Sequence, residues 1–293
     1  MISVVIPAYN EAGAIAATVA EIAQVLASAG FAKPEIIVVD DGSTDTTGQL
    51  AGKRGARVVK HPHNVGYGRS LKDGIAAARN ETIVISDADG TYPITKIPLL
   101  VGEFAKGFDM VIGAREGRVY EGRLKWPLRL ILKWMVEFTT GRQVPDVNSG
   151  LRVFGRSTVM TYFPHLSDGF SFSTSLTLAY MLTGRFVEHV PIGYNQRVGG
   201  TKVRLFRDTL RTLQYIVEAI VYYNPIKIFI LIDFICVGIG ALAILIGAAL
   251  RQPGPVWFGI LMGVLAVLVF CIGLVAVLLK KTLDRPAGSG SST

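Results

Sequence analysis

Short runs of consecutive apolar residues alternate, along the first part of the chain, with longer stretches in which apolar residues recur at helical spacing. The runs are residues 3–7, 35–40, 56–59 and 82–86, and the helical stretches are residues 11–29, 44–55 and 68–79. Continuously apolar strands that alternate with helices are typical of a parallel sheet covered by helices on both faces. The pattern therefore predicts an α/β fold.

Two much longer apolar runs lie in the last quarter of the chain. Residues 228–250 are interrupted only by Asp233, and residues 256–279 carry no charge. Each run exceeds the roughly 20 residues that a helix needs to cross a bilayer, and a proline-rich linker separates them. Soluble helices of this length nearly always carry a polar stripe. The runs therefore predict a transmembrane helical hairpin instead of two core helices.

Basic residues gather on both sides of this predicted hairpin. Those before and after it are Lys202, Arg204, Arg207, Arg211, Lys227, Lys280, Lys281 and Arg285, whereas the linker offers only Arg251. Short basic flanks favour the cytoplasm. We therefore expect a multi-pass protein of the cell membrane whose large N-terminal domain and both termini are cytoplasmic.

The net charge of +8 is explained by this clustering beside the membrane. An acidic membrane surface or a phosphate-bearing substrate is the expected partner, and nucleic acid is not. The chain begins with a predicted strand and no basic leader, so no signal peptide is expected. Both cysteines, Cys236 and Cys271, lie within the predicted spans, which excludes a disulfide framework or a thiolate metal site.

Polar and acidic residues follow each predicted strand, in loops 7–11, 40–45, 61–66 and 87–90. In open sheets of this kind, ligands bind where the carboxyl ends of the strands converge. Asp87 and Asp89 are one residue apart in the last of these loops. Such a pair suits Mg²⁺ or Mn²⁺, which takes one or two carboxylates and completes its shell with substrate phosphates and water. The loops therefore predict a metal-assisted site for a nucleotide diphosphate.

Four motifs carry a family resemblance: VVIPAYNE at 4–11, VVDDGSTD at 38–45, NVGYG at 64–68 and DADG at 87–90. In order and spacing they resemble the nucleotide-sugar-binding half of glycosyltransferase family 2, over about the first 220 residues. The resemblance implies a domain of the GT-A type, with a mostly parallel sheet. A dinucleotide oxidoreductase is not expected, because residues 66–70 lack the third glycine of the GxGxxG fingerprint.

Three later motifs suggest the subgroup: GAR at 113–115, DVNSGLRVF at 146–154 and YNQRVGGTK at 194–202. They resemble the polyprenyl-phosphate glycosyltransferases, the dolichyl-phosphate mannose synthase group, and the QxxRW motif of processive polysaccharide synthases is absent. The implied activity is the inverting transfer of a hexosyl group, from a nucleotide sugar of the GDP-mannose or UDP-glucose type, to a polyprenyl or dolichyl phosphate. The resemblance leaves the sugar, the prenol and the oligomeric state open.

The resemblance also implies roles for individual residues. The donor-binding residues are Pro7, Tyr9, Glu11, Asp40, Asp87 and Ala88. The ligands of Mg²⁺ or Mn²⁺ are Asp87 and Asp89. The residues that bind the acceptor phosphate are Arg115, Arg129, Arg197 and Lys202. The catalytic residues are Asp89, Arg115 and Arg197.

Amphipathic stretches complete the expected organisation. Residues 123–134 mix basic residues with Trp and Leu, as do helices that lie in the headgroup plane, and residues 202–223 repeat the theme; packing on the domain itself is the alternative. The expected order is a cytoplasmic GT-A catalytic domain at 1–200 with an interfacial helix at about 121–140, an amphipathic helix or linker at 201–225, two transmembrane helices at 226–281 and a disordered cytoplasmic tail at 282–293.

Two departures from the family pattern bear on the chemistry. Gly90 and Thr91 follow the acids where many members have a glutamine ligand, so Thr91 or water is expected to complete the metal shell. Ser173 and Thr174 stand where a glutamate is usual, which leaves the donor open.

Two other functions stay open from the sequence. One is a family 2 enzyme with a hydroxyl acceptor and Asp146 as its base, although Asp146 could instead only orient Arg152 or its own loop. The other is a non-catalytic, membrane-anchored nucleotide-sugar-binding protein.

Overall fold

The computed structural model describes residues 1–31, 33–116, 126–194 and 205–283, and within them the side chains outside 126–132, 205–212 and 283. The chain divides into two compact units, Met1–Ile216 and Val217–Thr293. The first unit contains the sheet and the second contains the long apolar helices, and each is described by itself below.

The described residues of the first unit form a seven-stranded sheet. Its strands are β1 Ile2–Ala8, β2 Glu35–Asp40, β3 Arg57–Lys60, β4 Thr82–Ile85, β5 Met110–Arg115, β6 Arg152–Gly155 and β7 Val187–Ile192. The spatial order is β3-β2-β1-β4-β6-β5-β7. β6 pairs antiparallel with both β4 and β5, and the other neighbours pair in parallel. The predicted α/β fold with a mostly parallel sheet is confirmed.

Eight α-helices are described up to residue 223, and the last of them continues into the second unit. They are α1 Ile15–Ser28, α2 Thr47–Lys53, α3 Tyr67–Ala77, α4 Ile97–Phe104, α5 Trp126–Thr140, α6 Arg156–Tyr162, α7 Phe172–Leu182 and α8 Leu205–Tyr223. The first of these helices lies within the predicted stretch of residues 11–29, and its regular part begins at Ile15. The backbone N–H groups of residues 11 and 12 donate to Thr47 Oγ1 and Asp45 Oδ2. These bonds give partners to N–H groups that the start of a helix leaves unpaired.

The core lies on both faces of β1, whose residues are all buried. Ile15, Val19, Ile22 and Leu26 of α1 recur at helical spacing and are fully buried. Burying an aliphatic side chain of this kind contributes about 1.5–3 kcal/mol. On α3, Gly74 allows close packing, because a Cβ there would collide with the side chains of β1 and β2. The core thereby fixes the strand ends, where the polar loops begin.

The second unit contains α9 Pro225–Leu250 and α10 Pro253–Leu283. Both are long and apolar enough to cross a membrane, with mean hydropathy of 2.8 and 3.1 over an apolar stretch of 18 residues in each. Only 11% of each stretch is buried, which distinguishes the two helices from core helices of a soluble domain. The two helices approach closely where Gly240 meets Gly259, since a Cβ on Gly240 would lie 2.9 Å from Gly259 O. The two predicted apolar helices are thus present.

Candidate active site

A cleft of about 550 Å³ opens where β1, β2 and β4 end. This is within the range typical of sites for organic ligands. Seven predicted site residues line it: Pro7, Tyr9, Glu11, Asp87, Ala88, Asp89 and Arg115. The structure therefore brings the acid pair and one predicted acceptor arginine to the same cavity.

Asp40, predicted to border the nucleoside, is not among the lining residues. It is 3% exposed, and its Oδ1 accepts a hydrogen bond of 3.0 Å from the backbone N–H of Ser43. That bond turns the carboxylate into its own loop. The next residue, Asp41, lines the cleft instead.

The other three residues that were predicted to bind the acceptor phosphate cannot be located relative to the cleft. Arg197 and Lys202 lie outside the described residues, and so does the side chain of Arg129. Their roles stay predictions.

Asp89 is held by the residue two positions further on. Thr91 donates to Asp89 Oδ1 through its hydroxyl at 2.6 Å and through its backbone N–H at 3.2 Å. Thr91 is fully buried and does not line the cleft. Its hydroxyl therefore orients Asp89, and it does not face the cavity as the expected additional metal ligand would.

Asp87 accepts a hydrogen bond from a residue of helix α3. Tyr67 begins that helix, and its hydroxyl donates to Asp87 Oδ1 at 2.9 Å. Burial and the nearby charge of Asp87 raise the pKa of Tyr67 well above its ordinary value. The phenol therefore stays protonated at physiological pH and acts as a donor.

The acid pair fits a divalent cation as a partial ligand set. Among the described residues, no group of three or more His, Cys, Asp or Glu side chains could enclose a metal ion. Mg²⁺ and Mn²⁺ accept such a set, because they retain water and share their shell with substrate phosphates. Asp87 and Asp89, both facing the cleft, are the residues that would hold the ion.

Arg115 reaches the cleft from the end of β5 and forms an ion pair with Asp146. Its Nε donates to Asp146 Oδ2 at 2.7 Å, and its Nη2 donates to Oδ1 at 3.0 Å. Burial raises the pKa of Asp146, but the hydrogen bonds and charge of Arg115 outweigh this and lower it overall. Arg115 Cζ also lies 5.3 Å from the centre of the Tyr194 ring. The guanidinium is thus fixed on two sides.

A second, internal arginine braces the loop that carries Asp146. Arg152 is fully buried. Its guanidinium donates to Val147 O at 2.6 Å, to Ser149 O at 2.7 Å and to Thr177 Oγ1 at 2.7 Å. Burial lowers the pKa of Arg152 to about 10, so it remains charged at neutral pH. The loop between α5 and β6 is therefore built around a buried cation.

Several lining residues were not among the predicted site residues: Asp41, Asn64, Tyr67, Tyr92, Asn148, Phe170, Ser173 and Tyr194. Most fall inside motifs quoted above, so their position in the sequence was a usable signal. Ser173 was noted as a departure from the family pattern. Tyr92 and Phe170 lie outside those motifs, and no such signal pointed to them.

Comparison with known proteins identifies the family of the chain. The family model described as glycosyl transferase family 2 matches residues 3–162, more than half of the 293 residues. A dolichyl-phosphate hexose transferase of Haloferax volcanii is 29% identical over 70% of this chain and 87% of its own length. The low-salt glycan biosynthesis hexosyltransferase Agl6 of the same organism is 30% identical. That match covers 90% of this chain and 63% of the length of the relative.

A solved structure shares the fold. Glucosyl-3-phosphoglycerate synthase from Mycobacterium tuberculosis, in complex with Mn²⁺, uridine diphosphate and glucosyl-3-phosphoglycerate, superimposes with a TM-score of 0.61. The two chains are 25% identical, and the match covers 75% of this chain and 79% of that one.

Proposed function

This chain belongs to glycosyl transferase family 2, and from that membership we propose that it transfers a hexosyl group from a nucleotide sugar to a polyprenyl or dolichyl phosphate, with inversion. The observation that carries the proposal is the single cleft lined by both Asp87 and Asp89 and by Arg115. The acid pair suits a metal-bound diphosphate, and Arg115 suits a phosphate acceptor. The dolichyl-phosphate hexose transferase of Haloferax volcanii supports the same acceptor class.

The acid pair would serve the donor. Asp87 and Asp89 would hold Mg²⁺ or Mn²⁺ against the diphosphate of a GDP-mannose or UDP-glucose type of donor. The solved structure with Mn²⁺ and uridine diphosphate supports this division of labour. When bound, the cation neutralises charge on the departing nucleoside diphosphate. Pro7, Tyr9 and Glu11, which line the same cleft, would border the nucleoside.

Arg115 would serve the acceptor. A planar guanidinium binds phosphate oxygens through directed, charge-assisted hydrogen bonds. Arg115 would aim one phosphate oxygen of the lipid at the anomeric carbon of the sugar, with Arg197 as its predicted partner. That oxygen forms the new bond as the bond to the nucleoside diphosphate breaks, and the leaving group takes the electron pair. Attack from the opposite side inverts the anomeric centre.

This reaction needs no general base. A phosphate monoester has a second pKa near 6, so the lipid phosphate is largely dianionic at neutral pH and is already nucleophilic. The alternative, a hydroxyl acceptor with Asp146 as base, is not favoured. The Asp146 side chain is only 4% exposed and is paired with Arg115, and its lowered pKa makes it a weaker base.

The apolar helices suit a lipid acceptor. Each CH₂ group of a prenyl chain that leaves the bilayer costs about 0.8 kcal/mol, so the enzyme must work at the membrane. Helices α9 and α10, which are long and apolar enough to cross it, would anchor the chain there. The basic flanks support an orientation with the catalytic domain and both termini in the cytoplasm.

The test is a transfer assay with the full chain in detergent. Labelled GDP-mannose, UDP-glucose and UDP-N-acetylhexosamine are each supplied with a polyprenyl phosphate and Mg²⁺ or Mn²⁺, and label is measured in the organic phase. At least one donor should label the lipid, and a chelator should stop the reaction. Asp89→Asn should reduce the rate by 100-fold or more while leaving the thermal unfolding midpoint nearly unchanged.

The alternatives give different results. Donor binding without turnover for every acceptor would indicate a non-catalytic binding protein. Label transferred to a hydroxyl acceptor, but never to a lipid phosphate, would indicate the other family 2 chemistry. Turnover that a chelator leaves unchanged would refute the role of the acid pair as metal ligands.

A further inference from the structure

Asp87 is confined between two groups that belong to different parts of the chain. On one side, the Tyr67 hydroxyl donates to Asp87 Oδ1 at 2.9 Å. On the other side lies Gly150, where a Cβ would sit 2.9 Å from both carboxylate oxygens. Glycine is therefore needed to leave room for the carboxylate, and the phenol is needed to hold its direction.

Tyr67 is itself fixed at the start of α3. The preceding Gly66 has a φ of 114° and donates its N–H to Asp41 Oδ2 at 3.0 Å. A side chain at Gly66 would also collide with the carbonyl of Asp168. The backbone turn at Gly66 and the loop around Asp168 that packs against it therefore both require glycine. Together they fix the position of Tyr67 at the start of α3.

The loop that packs on this helix brings an aromatic ring to Tyr67. Arg69 N donates to Asp168 O at 3.0 Å, and Lys72 Nζ lies 2.7 Å from Asp168 Oδ1. The ring of Phe170 then stacks on Tyr67, with centroids 5.8 Å apart and planes inclined by 18°. The stack holds the ring of Tyr67 in place, so its hydroxyl stays within hydrogen-bond distance of Asp87.

We propose that Tyr67 is a positioning residue, which aims Asp87 at the divalent cation of the donor complex. The proposal rests on the proposed function, because it concerns how the acid pair holds the ion. A carboxylate turned about its own bond would present one oxygen to the ion at the wrong angle. A hydrogen bond to Oδ1 prevents that rotation, just as hydrogen-bonded partners orient the ligands of other metal sites, where losing one typically costs 10–100-fold in metal affinity.

The experiment measures Mn²⁺ binding and turnover with the full chain in detergent. Electron paramagnetic resonance reports free Mn²⁺ during titrations with UDP or with GDP present. Tyr67→Phe removes the hydroxyl and keeps the ring that stacks on Phe170. Tyr162→Phe is the matched control, because its hydroxyl is bonded to Thr183 at 2.7 Å and the residue does not line the cleft.

Tyr67→Phe should weaken Mn²⁺ binding about tenfold, and Tyr162→Phe should leave it unchanged. The Mn²⁺ concentration for half-maximal transfer should rise by the same factor, and excess Mn²⁺ should restore most of the rate. A purely structural role for the hydroxyl would instead lower the rate at every Mn²⁺ concentration. Gly150→Ala, which crowds Asp87 from the other side, should also weaken Mn²⁺ binding.

Two failures can be told apart. If the wild-type chain binds Mn²⁺ and Tyr67→Phe binds it equally well, the positioning role is overturned and the proposed function stands. If the wild-type chain binds no Mn²⁺ with either nucleotide, the metal-assisted donor site is overturned, and the role of Tyr67 with it.

Discussion

Arg115 and Asp146 form a two-point ion pair, in which Nε and Nη2 of the arginine lie 2.7 Å and 3.0 Å from the two carboxylate oxygens. Their side chains are only 12% and 4% exposed. A planar fork that is held at two points cannot rotate without breaking both hydrogen bonds. Asp146 therefore fixes the direction in which Arg115 meets the cleft.

We expect Asp146→Asn to weaken acceptor binding more than chemistry. The amide cannot accept both hydrogen bonds, so Arg115 loses its orientation while the donor site is untouched. The KM for the lipid phosphate should rise about 10- to 100-fold with a smaller change in kcat, measured by initial rates over a range of lipid concentrations. Asp109→Asn is the control, because it breaks a surface pair with Arg185 away from the cleft.

The opposite kinetic pattern would assign Asp146 to the chemistry itself. Removal of a general base from an active site strongly lowers kcat and abolishes the acidic limb of the pH–rate profile. If Asp146→Asn loses 1,000-fold in kcat at saturating lipid and loses that limb, Asp146 is the base and the acceptor is a hydroxyl.

Arg152 should be essential for stability. Replacing it by Met would leave the carbonyls of Val147 and Ser149 buried without their donor. Each unsatisfied buried acceptor costs about 1–3 kcal/mol, so for the two carbonyls Arg152→Met should lower the free energy of unfolding by about 2–6 kcal/mol. Chemical denaturation in detergent would measure this loss.

A surface arginine provides the comparison for this loss. The side chain of Arg57 is 45% exposed where it pairs with Glu35, so Arg57→Met should change stability by no more than about 0.5 kcal/mol. Equal stabilities for the two variants would show that the buried cation does not support the fold.

Thr91 should contribute through Asp89. Thr91→Val keeps the shape of the side chain and removes the hydroxyl that donates to Asp89 Oδ1. We expect transfer to fall about tenfold at limiting Mn²⁺ and less at saturating Mn²⁺, measured as the metal dependence of the rate. Thr139→Val removes a similarly buried hydroxyl that bonds to Met135 O of its own helix and should leave that dependence unchanged. A similar shift in both variants would contradict the specific role of Thr91.

The sequence predicted the fold, and it predicted loops that line one cleft in the structure, for a clear physical reason. Runs such as residues 82–86 reflect burial on both sides of the sheet, and the polar loops follow because ligands bind at the carboxyl ends of parallel strands. The predicted family is confirmed by the match to residues 3–162, and the predicted resemblance to its polyprenyl-phosphate group is confirmed by the relatives found.

Side-chain direction and contacts distant in sequence could not be read in the same way. Asp40 and Asp41 are neighbours of the same type, and only the turn of their loop decides which one faces the cleft. Phe170 reaches the site because its loop packs on α3, about a hundred residues earlier in the chain. Thr91 or water was expected to complete the metal shell, and the buried hydroxyl of Thr91 donates to Asp89.

His189 should make the fold sensitive to mild acid. Burial and the positive charge of Arg152 lower the pKa of His189 to about 4, from an ordinary value of 6.5. Between these values the unfolded chain binds more protons than the folded one, so stability present above pH 6.5 is lost as the pH falls towards 4. After solvent screening, the loss from this residue should be roughly 1 to 3 kcal/mol.

Thermal unfolding at a series of pH values would test the role of His189. His189→Gln cannot titrate, so its unfolding midpoint should fall less than that of the wild-type chain between pH 6.5 and 4. Parallel pH curves for the two chains would show that other groups dominate the acid sensitivity.

The exposed aromatic pair on α5 should matter for a lipid acceptor. Trp134 is 49% exposed and Phe138 is 36% exposed, and their rings stack with centroids 5.4 Å apart. Aromatic side chains on one side of an amphipathic helix insert into the headgroup region. If α5 is the predicted interfacial helix, replacing both residues by Ala should raise the KM for polyprenyl phosphate in vesicles about 3- to 10-fold, while the KM for the nucleotide sugar stays unchanged. Phe186→Ala is the control, because that side chain is 63% exposed but precedes β7 and lies on no amphipathic helix. If the double change on α5 and Phe186→Ala raise the KM for polyprenyl phosphate by the same factor, the aromatic pair on α5 is not the membrane contact.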